Sequence, residues 1–151
     1  FGSQCIVVAV DIKKRTTNLP NITQNTQLDK KLWSTSNTIY DVYSHGGRNN
    51  IGIDAIKWIQ HCESQGAGEL LITSMDKDGT NDGYDIDCLK KMKSLVRIPI
   101  IASGGAGNEK DIVNVLKFTD AALLASILHY NKTTIQKIKQ TCIKNKTKIR
   151  R

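Results

Sequence analysis

The stretch Ile98 to Leu116, IPIIASGGAGNEKDIVNVL, passes from an apolar run through a glycine cluster to a polar residue and then to helix-period apolar positions. Pro99 sits at the start of the run, where a missing N–H is tolerated. Asn108 is placed to cap a helix, Glu109 and Asp111 fall in its first turn where they suit the dipole, and Ile112, Val115 and Leu116 share its inner face. The stretch therefore reads as strand, tight turn, helix.

Three more apolar runs repeat the theme: Cys5 to Val10, Glu69 to Thr73 and Ala121 to Ala125. None alternates apolar with polar residues, so each is expected to lie in a parallel sheet, buried on both faces. Helix-period stripes follow them. Ile56, Ile59 and Cys62 mark one, ended by Gly66-Ala67-Gly68; Asp85 caps a second that uses Ile86, Leu89 and Met92; Ile135, Ile138 and Cys142 mark the last, begun by Thr133 or Thr134. The expected order, βαβαβαβα, fits an open doubly wound α/β sheet or a (β/α) barrel.

The segment Lys13 to Thr38 breaks this rhythm. It is rich in Asn, Thr, Gln and Lys, lacks periodicity and is longer than ordinary connections, so it is expected to be a surface insertion at the mouth of the first strand. Ile39 to Gly47, IYDVYSHGG, then alternates enough for a short hairpin arm before the first helix.

With 151 residues the chain has the size of a single domain that buries its own core. Cys5, Cys62, Cys88 and Cys142 form no C-x-x-C pair and read as reduced, buried small side chains. His45, His61 and His129 share no ligand spacing with them, which argues against a metal site. The net charge of +8 is local: after Asp120 there are eight basic residues and no acid, while the first 120 residues carry fourteen of each sign. No aromatics interleave with those lysines, so the basic tail reads as a solvated face and not as a nucleic-acid site. No run is long enough to span a membrane, and the opening residues lack the features of a signal peptide, so a cytoplasmic protein is expected. The chain starts with Phe1 directly at a strand, as a piece of a longer polypeptide would.

The chemistry gathers where strands end. The four runs are followed by Asp11, by Thr73-Ser74, by Ser103 and by Ser126, and the carboxyl ends of strands are where barrel and open α/β proteins build their sites. After the second run comes SMDKDGTNDGYD, Ser74 to Asp85, and after the third SGGAG, Ser103 to Gly107. Glycine lets backbone N–H groups approach an oxyanion, and a helix N-terminus offers further donors, so these turns together with Ala125-Ser126 would make one three-part phosphate grip. A dinucleotide fingerprint is the weaker reading: Gly105-Ala106-Gly107 supplies G-x-G, but position 110 is lysine. Asp11 is the foremost acid/base candidate, because it ends an apolar strand; pairing with Lys13 or capping a turn is the alternative. Asp76 and Asp78 are further acids, of a kind that also binds cations, ribose hydroxyls or backbone amides.

Six collinear motifs, FGSQCIVVAVD, DVYSHGGR, GAGELLITSMDKDGT, GYDIDCLKKM, IPIIASGGAG and DAALLASILHY, resemble the carboxyl-terminal half of the cyclase subunits of imidazole glycerol phosphate synthase. The resemblance implies strands five to eight of a (β/α)8 barrel, that is, a half-barrel of four βα units spanning 1–151 with an insertion at 13–38. It also implies a reaction. Ammonia from a glutaminase subunit or domain converts a bisphosphorylated phosphoribulosyl-formimino aminoimidazole carboxamide ribotide to imidazole glycerol phosphate and an aminoimidazole carboxamide ribotide, in histidine biosynthesis and without a cofactor. In that family two aspartates, one from each half, act as acid/base groups, and Asp11 matches the second. The phosphate grip maps onto Gly79, Gly104, Gly105, Ala125 and Ser126, and Thr73, Asp78 and Ser103 match polar residues of the same mouth.

The resemblance does not cover an amino-terminal half-barrel, with the first aspartate and the second phosphate grip, so little activity is expected of this chain alone. Two other functions fit parts of the pattern. One is a cyclase-like relative delivering ammonia in surface-polysaccharide sugar synthesis; the other is a non-catalytic phosphate-binding scaffold that docks a glutaminase.

Overall fold

A computed structural model describes residues 2–16 and 28–150. Six strands, β1 (Val7–Lys14), β2 (Tyr40–Ser44), β3 (Asn49–Asp54), β4 (Glu69–Ser74), β5 (Ile100–Ser103) and β6 (Ala121–Ala122), form one sheet in the order β3-β2-β1-β4-β5-β6. β1, β4, β5 and β6 run parallel, and β2 and β3 form an antiparallel hairpin beside the upper part of β1. Five helices accompany them: α1 (Ala55–Ser64), α2 (Ile86–Lys93), α3 (Glu109–Val115), α4 (Ser126–His129) and α5 (Ile135–Lys144). This is an α/β fold with a mostly parallel sheet, consistent with part of a (β/α)8 barrel.

The expected helices form where their caps stand. Asp85 accepts from the Cys88 N–H at 3.1 Å, and Thr134, one of the two residues expected to begin α5, accepts from the Lys137 N–H at 3.3 Å. Asn108 and Asp111 close a capping box at α3. Asp54, which sequence patterning did not single out, caps α1 through the Ile56 and Lys57 N–H groups.

Burial of the sheet departs from expectation. Val10, Ile12, Leu70, Ile72, Ile100 and Ala102 share one face and join Ile59, Cys88, Leu89 and Met92 in the main core. Each fully buried aliphatic side chain there stabilises by about 1.5–3 kcal/mol. The opposite face carries Ala9, Leu71 and Ile101, and β4 alternates buried with half-buried residues. β1, β4 and β5 therefore bury the face that joins the helices in the main core, and leave most of the other half-buried or exposed. A second cluster, Ile112, Val113, Ile127, Ile138 and Cys142, joins α3, α4 and α5.

Smaller corrections have local causes. The first strand begins at Val7, and Cys5 lies exposed in a single 3-10 turn, while Cys62, Cys88 and Cys142 are buried as expected. Ile135 is 45% exposed at the first position of α5, outside the cluster that buries Ile138. The run Ala121 to Ala125 is strand only at its first two residues, because the chain then turns into α4, which the helix patterning did not anticipate. The expected insertion 13–38 lies partly outside the described residues. Its first two residues belong to β1, and its return limb holds a 3-10 turn at Lys30–Leu32 and a bridge from Trp33 to Ile53.

Among the described residues no helix is long and apolar enough to cross a membrane.

Candidate functional site: a row of polar side chains ending in a glycine-lined cleft

The parallel register determines what the strand ends present. Asp11 is the Cα partner of Thr73, and Thr73 is the partner of Ser103, so the three residues form one row across β1, β4 and β5. Directly opposed residues point to the same side of a sheet. Val10, Ile72 and Ala102, one position earlier, are buried under the helices, so Asp11, Thr73 and Ser103 lie on the opposite face, where Asp11 and Thr73 are half-buried and Ser103 is buried. Two strand spacings separate Asp11 from Ser103, about 10 Å. β2 extends the row: Tyr43, partnered with Asp11, stands at its other end.

Ser103 also belongs to a cleft of about 240 Å³ lined by Asp78, Gly79, Asn81, Ser103, Gly104, Gly105, Ala106, Leu123, Ala125 and Ser126. The structure thus gathers Asp78, Gly79, Ser103, Gly104, Gly105, Ala125 and Ser126 around one space. Asp11 and Thr73 stand outside it, in the row that leads to it through Ser103. Sequence reading missed Asn81, Ala106 and Leu123 as lining residues. Asn81 adopts a left-handed φ of 60°, for which an asparagine inside a glycine turn is the available signal; Leu123 carried none.

The cleft's walls are backbone. Gly104 and Gly105 take φ of 90° and 106°, and a Cβ on Gly104 would lie 2.8 Å from the Ser74 carbonyl oxygen. The turn after β5 therefore packs main chain against main chain on the turn after β4, an approach open only to glycine. Among the described residues the N–H groups of Gly79, Gly104, Gly105 and Ala125 have no protein acceptor. Converging backbone donors beside left-handed glycines suit a phosphate oxyanion.

The N-terminus of α3 is not part of this donor set. The Asp111 carboxylate accepts from the Gly107 and Asn108 N–H groups at 2.9 and 3.0 Å, and Asn108 accepts from the Lys110 N–H at 2.9 Å. The capping box has consumed the donors that sequence reading had credited to the grip. One cation stands at the rim: the Lys132 ammonium donates to the Asn81 side-chain oxygen at 3.4 Å.

The acids divide by partner. Asp76 accepts from the Lys14 N–H at 2.7 Å, a backbone contact that occupies it structurally. Asp11 neither pairs with Lys13 nor caps a turn: among the described residues its carboxylate has no hydrogen-bond donor or ion-pair partner, and the Lys13 ammonium lies over the Tyr43 ring instead, 5.9 Å from its centroid. A half-buried carboxylate without a partner, on an open face, is available to exchange protons with a ligand.

Above Asp11 on the same face lies a buried charge pair. Arg15 grips Asp41 through Nε at 2.8 Å and through Nη2, while Ser34 Oγ and Asn50 Nδ2 donate to the same carboxylate at 2.6 and 3.1 Å. Arg15 Nη1 also donates to the Thr35 carbonyl at 2.7 Å. This cluster fastens the return limb of the 13–38 segment to the hairpin.

The sequence profile of a family described as "Histidine biosynthesis protein" matches residues 1–134. Among curated relatives, the imidazole glycerol phosphate synthase subunit HisF of Methanococcus vannielii is 47% identical over 99% of this chain and 56% of its own length. The subunit of the same name from Lactococcus lactis subsp. lactis is 46% identical over 96% of this chain and 49% of its own length. The chain spans about half the length of the curated relatives it matches.

Proposed function

Since the chain belongs to the histidine biosynthesis protein family, we propose that it carries one acid/base aspartate and one phosphate site of an imidazole glycerol phosphate synthase cyclase. In this reading its four parallel strands correspond to the second half of a (β/α)8 barrel, and an amino-terminal half, as in the longer relatives, supplies the other aspartate and phosphate site. The observation that carries it is Ser103, which sits both at the end of the Asp11–Thr73 row and in the wall of the glycine-lined cleft. A phosphate held in the cleft leaves the rest of a ligand extended over the row, within reach of Asp11 about 10 Å away.

The chemistry divides accordingly. The N–H groups of Gly79, Gly104, Gly105 and Ala125 hold one phosphate of the bisphosphorylated substrate without titrating themselves. Ammonia released by a glutaminase partner adds to the substrate carbonyl. The Asp11 carboxylate takes a proton from the nitrogen as it bonds and returns it to an oxygen as water leaves. Thr73 and Ser103 offer hydroxyls along the path. In ring closure the new nitrogen bonds to the formimino carbon and the aminoimidazole carboxamide ribotide leaves that carbon; neither this step nor ammonia addition is an oxidation or reduction, so no cofactor is needed.

The test joins this chain to the amino-terminal half of the Methanococcus vannielii relative and follows ammonia-dependent turnover. Asp11→Asn lowers turnover at least about a hundredfold, the scale of one acid/base group, and leaves inorganic phosphate binding unchanged. Near-normal turnover of that variant overturns the assignment.

A further inference from the structure

Three turns surround the cleft, and their relative placement sets where the donors point. The turns after β4 and β5 are joined by main chain, the Gly83 N–H donating to the Gly105 carbonyl at 2.8 Å. The turn after β6 is joined to the turn after β4 by one side chain: Tyr84, 5% exposed and outside the cleft, donates its hydroxyl to the Leu123 carbonyl at 2.8 Å across 39 residues.

Leu123 and Ala125 both line the cleft, so the peptide between Leu123 and Leu124 borders it. A trans peptide points its N–H opposite its C=O. With its carbonyl drawn down to the Tyr84 phenol, this peptide turns its N–H away from Tyr84. Among the described residues the Leu124 N–H has no protein acceptor. Burial raises the Tyr84 hydroxyl's pKa further above its ordinary value, so it remains a donor at neutral pH.

We propose that Tyr84 is a positioning residue for the phosphate cleft: its hydroxyl anchors the Leu123 carbonyl, keeping that negative dipole out of the anion's space and presenting the Leu124 N–H as a further donor. Without the hydroxyl, the carbonyl is free to rotate toward an anion and repel it. The inference rests on the reading of the cleft as a phosphate site.

Inorganic phosphate is titrated into the whole chain by calorimetry, comparing the parent with Tyr84→Phe and Tyr40→Phe. Tyr40 is the control, a buried tyrosine that does not line the cleft. Tyr84→Phe is expected to raise the dissociation constant at least about fivefold, the effect of one lost oriented donor in a wet site, with Tyr40→Phe within twofold of the parent. Parent binding with Tyr84→Phe unchanged, or with both variants equally weakened, overturns the role of Tyr84 and leaves the phosphate site standing. No phosphate binding by the parent overturns both. Should Tyr84→Phe fail to fold, the parent still decides: its Leu124 amide resonance must move as phosphate saturates, and an unmoved resonance overturns the proposal.

Discussion

The Gly83 N–H donates to the Gly105 carbonyl at 2.8 Å, and a Cβ built on Gly105 would come within 2.2 Å of the Gly83 carbonyl oxygen. The two turns that wall the cleft are thus in main-chain contact at glycines on both sides. Gly79, in the same cleft, differs: its φ of 77° is left-handed, but a Cβ there meets nothing within 4 Å.

That contrast separates fold from binding at neighbouring positions. Gly105→Ala must displace backbone and adopt a φ of 106°, and it lowers stability by about 2–4 kcal/mol in chemical denaturation. An anion introduced at Gly105 would therefore disrupt the turn before it competed with phosphate, so Gly79 is the place to introduce one. Gly79→Asn costs about 1 kcal/mol, since asparagine tolerates the left-handed region. Gly79→Asp carries the same backbone cost and adds a negative charge. Phosphate binding at least about tenfold weaker for Gly79→Asp than for Gly79→Asn is the expected difference, the size of a partly screened like-charge contact.

The buried pair of Arg15 and Asp41 yields a second prediction. Asp41 is 2% exposed and accepts from Arg15, Ser34 and Asn50 together. Asp41→Asn keeps the shape but leaves the guanidinium uncompensated, and it destabilises by about 3–5 kcal/mol. In a double-mutant cycle with Arg15→Gln, measured by urea denaturation, the second substitution adds much less than it costs alone. Additive losses would show that the pair does not fasten the return limb to the hairpin.

What the sequence made legible follows range of interaction. Strand–turn–helix units, the caps Asp85 and Asn108, and the glycine turns depend on residues within about ten positions of one another, and they stand where patterning puts them. The convergence of Gly79, Gly104 and Ala125 on one cleft was readable because parallel strands deliver their ends to one edge. Three features were not readable. Arg15 and Asp41 find each other across the long polar segment, where no period marks either as buried. β6 stops at Ala122 inside a run whose composition suits a strand, and the short α4 begins at Ser126, directly after that run. The one-sided burial of β1, β4 and β5 depends on what covers the second face, and an apolar run records only that cover is favourable.

The α3–α5 contact gives the last prediction, through pH. Glu109 accepts from the Thr133 hydroxyl and pairs with the Lys137 ammonium at 3.1 Å, and these contacts, the Thr133 hydrogen bond first, lower its pKa to about 2. A carboxyl whose folded pKa lies below its unfolded value of 4.5 stabilises the fold above about pH 4.5 and loses that contribution as pH falls toward 2. Lys137 is 63% exposed, so solvent screens the pair and the contribution is about 1 kcal/mol. Urea denaturation at pH 6 and at pH 3 measures it. The difference in stability between the parent and Glu109→Gln should be largest at pH 6 and shrink at pH 3, because the parent glutamate is then almost wholly protonated in the unfolded chain. A difference that stayed constant across that interval would mean that Glu109 joins the helices through hydrogen bonding alone, with its charge contributing nothing.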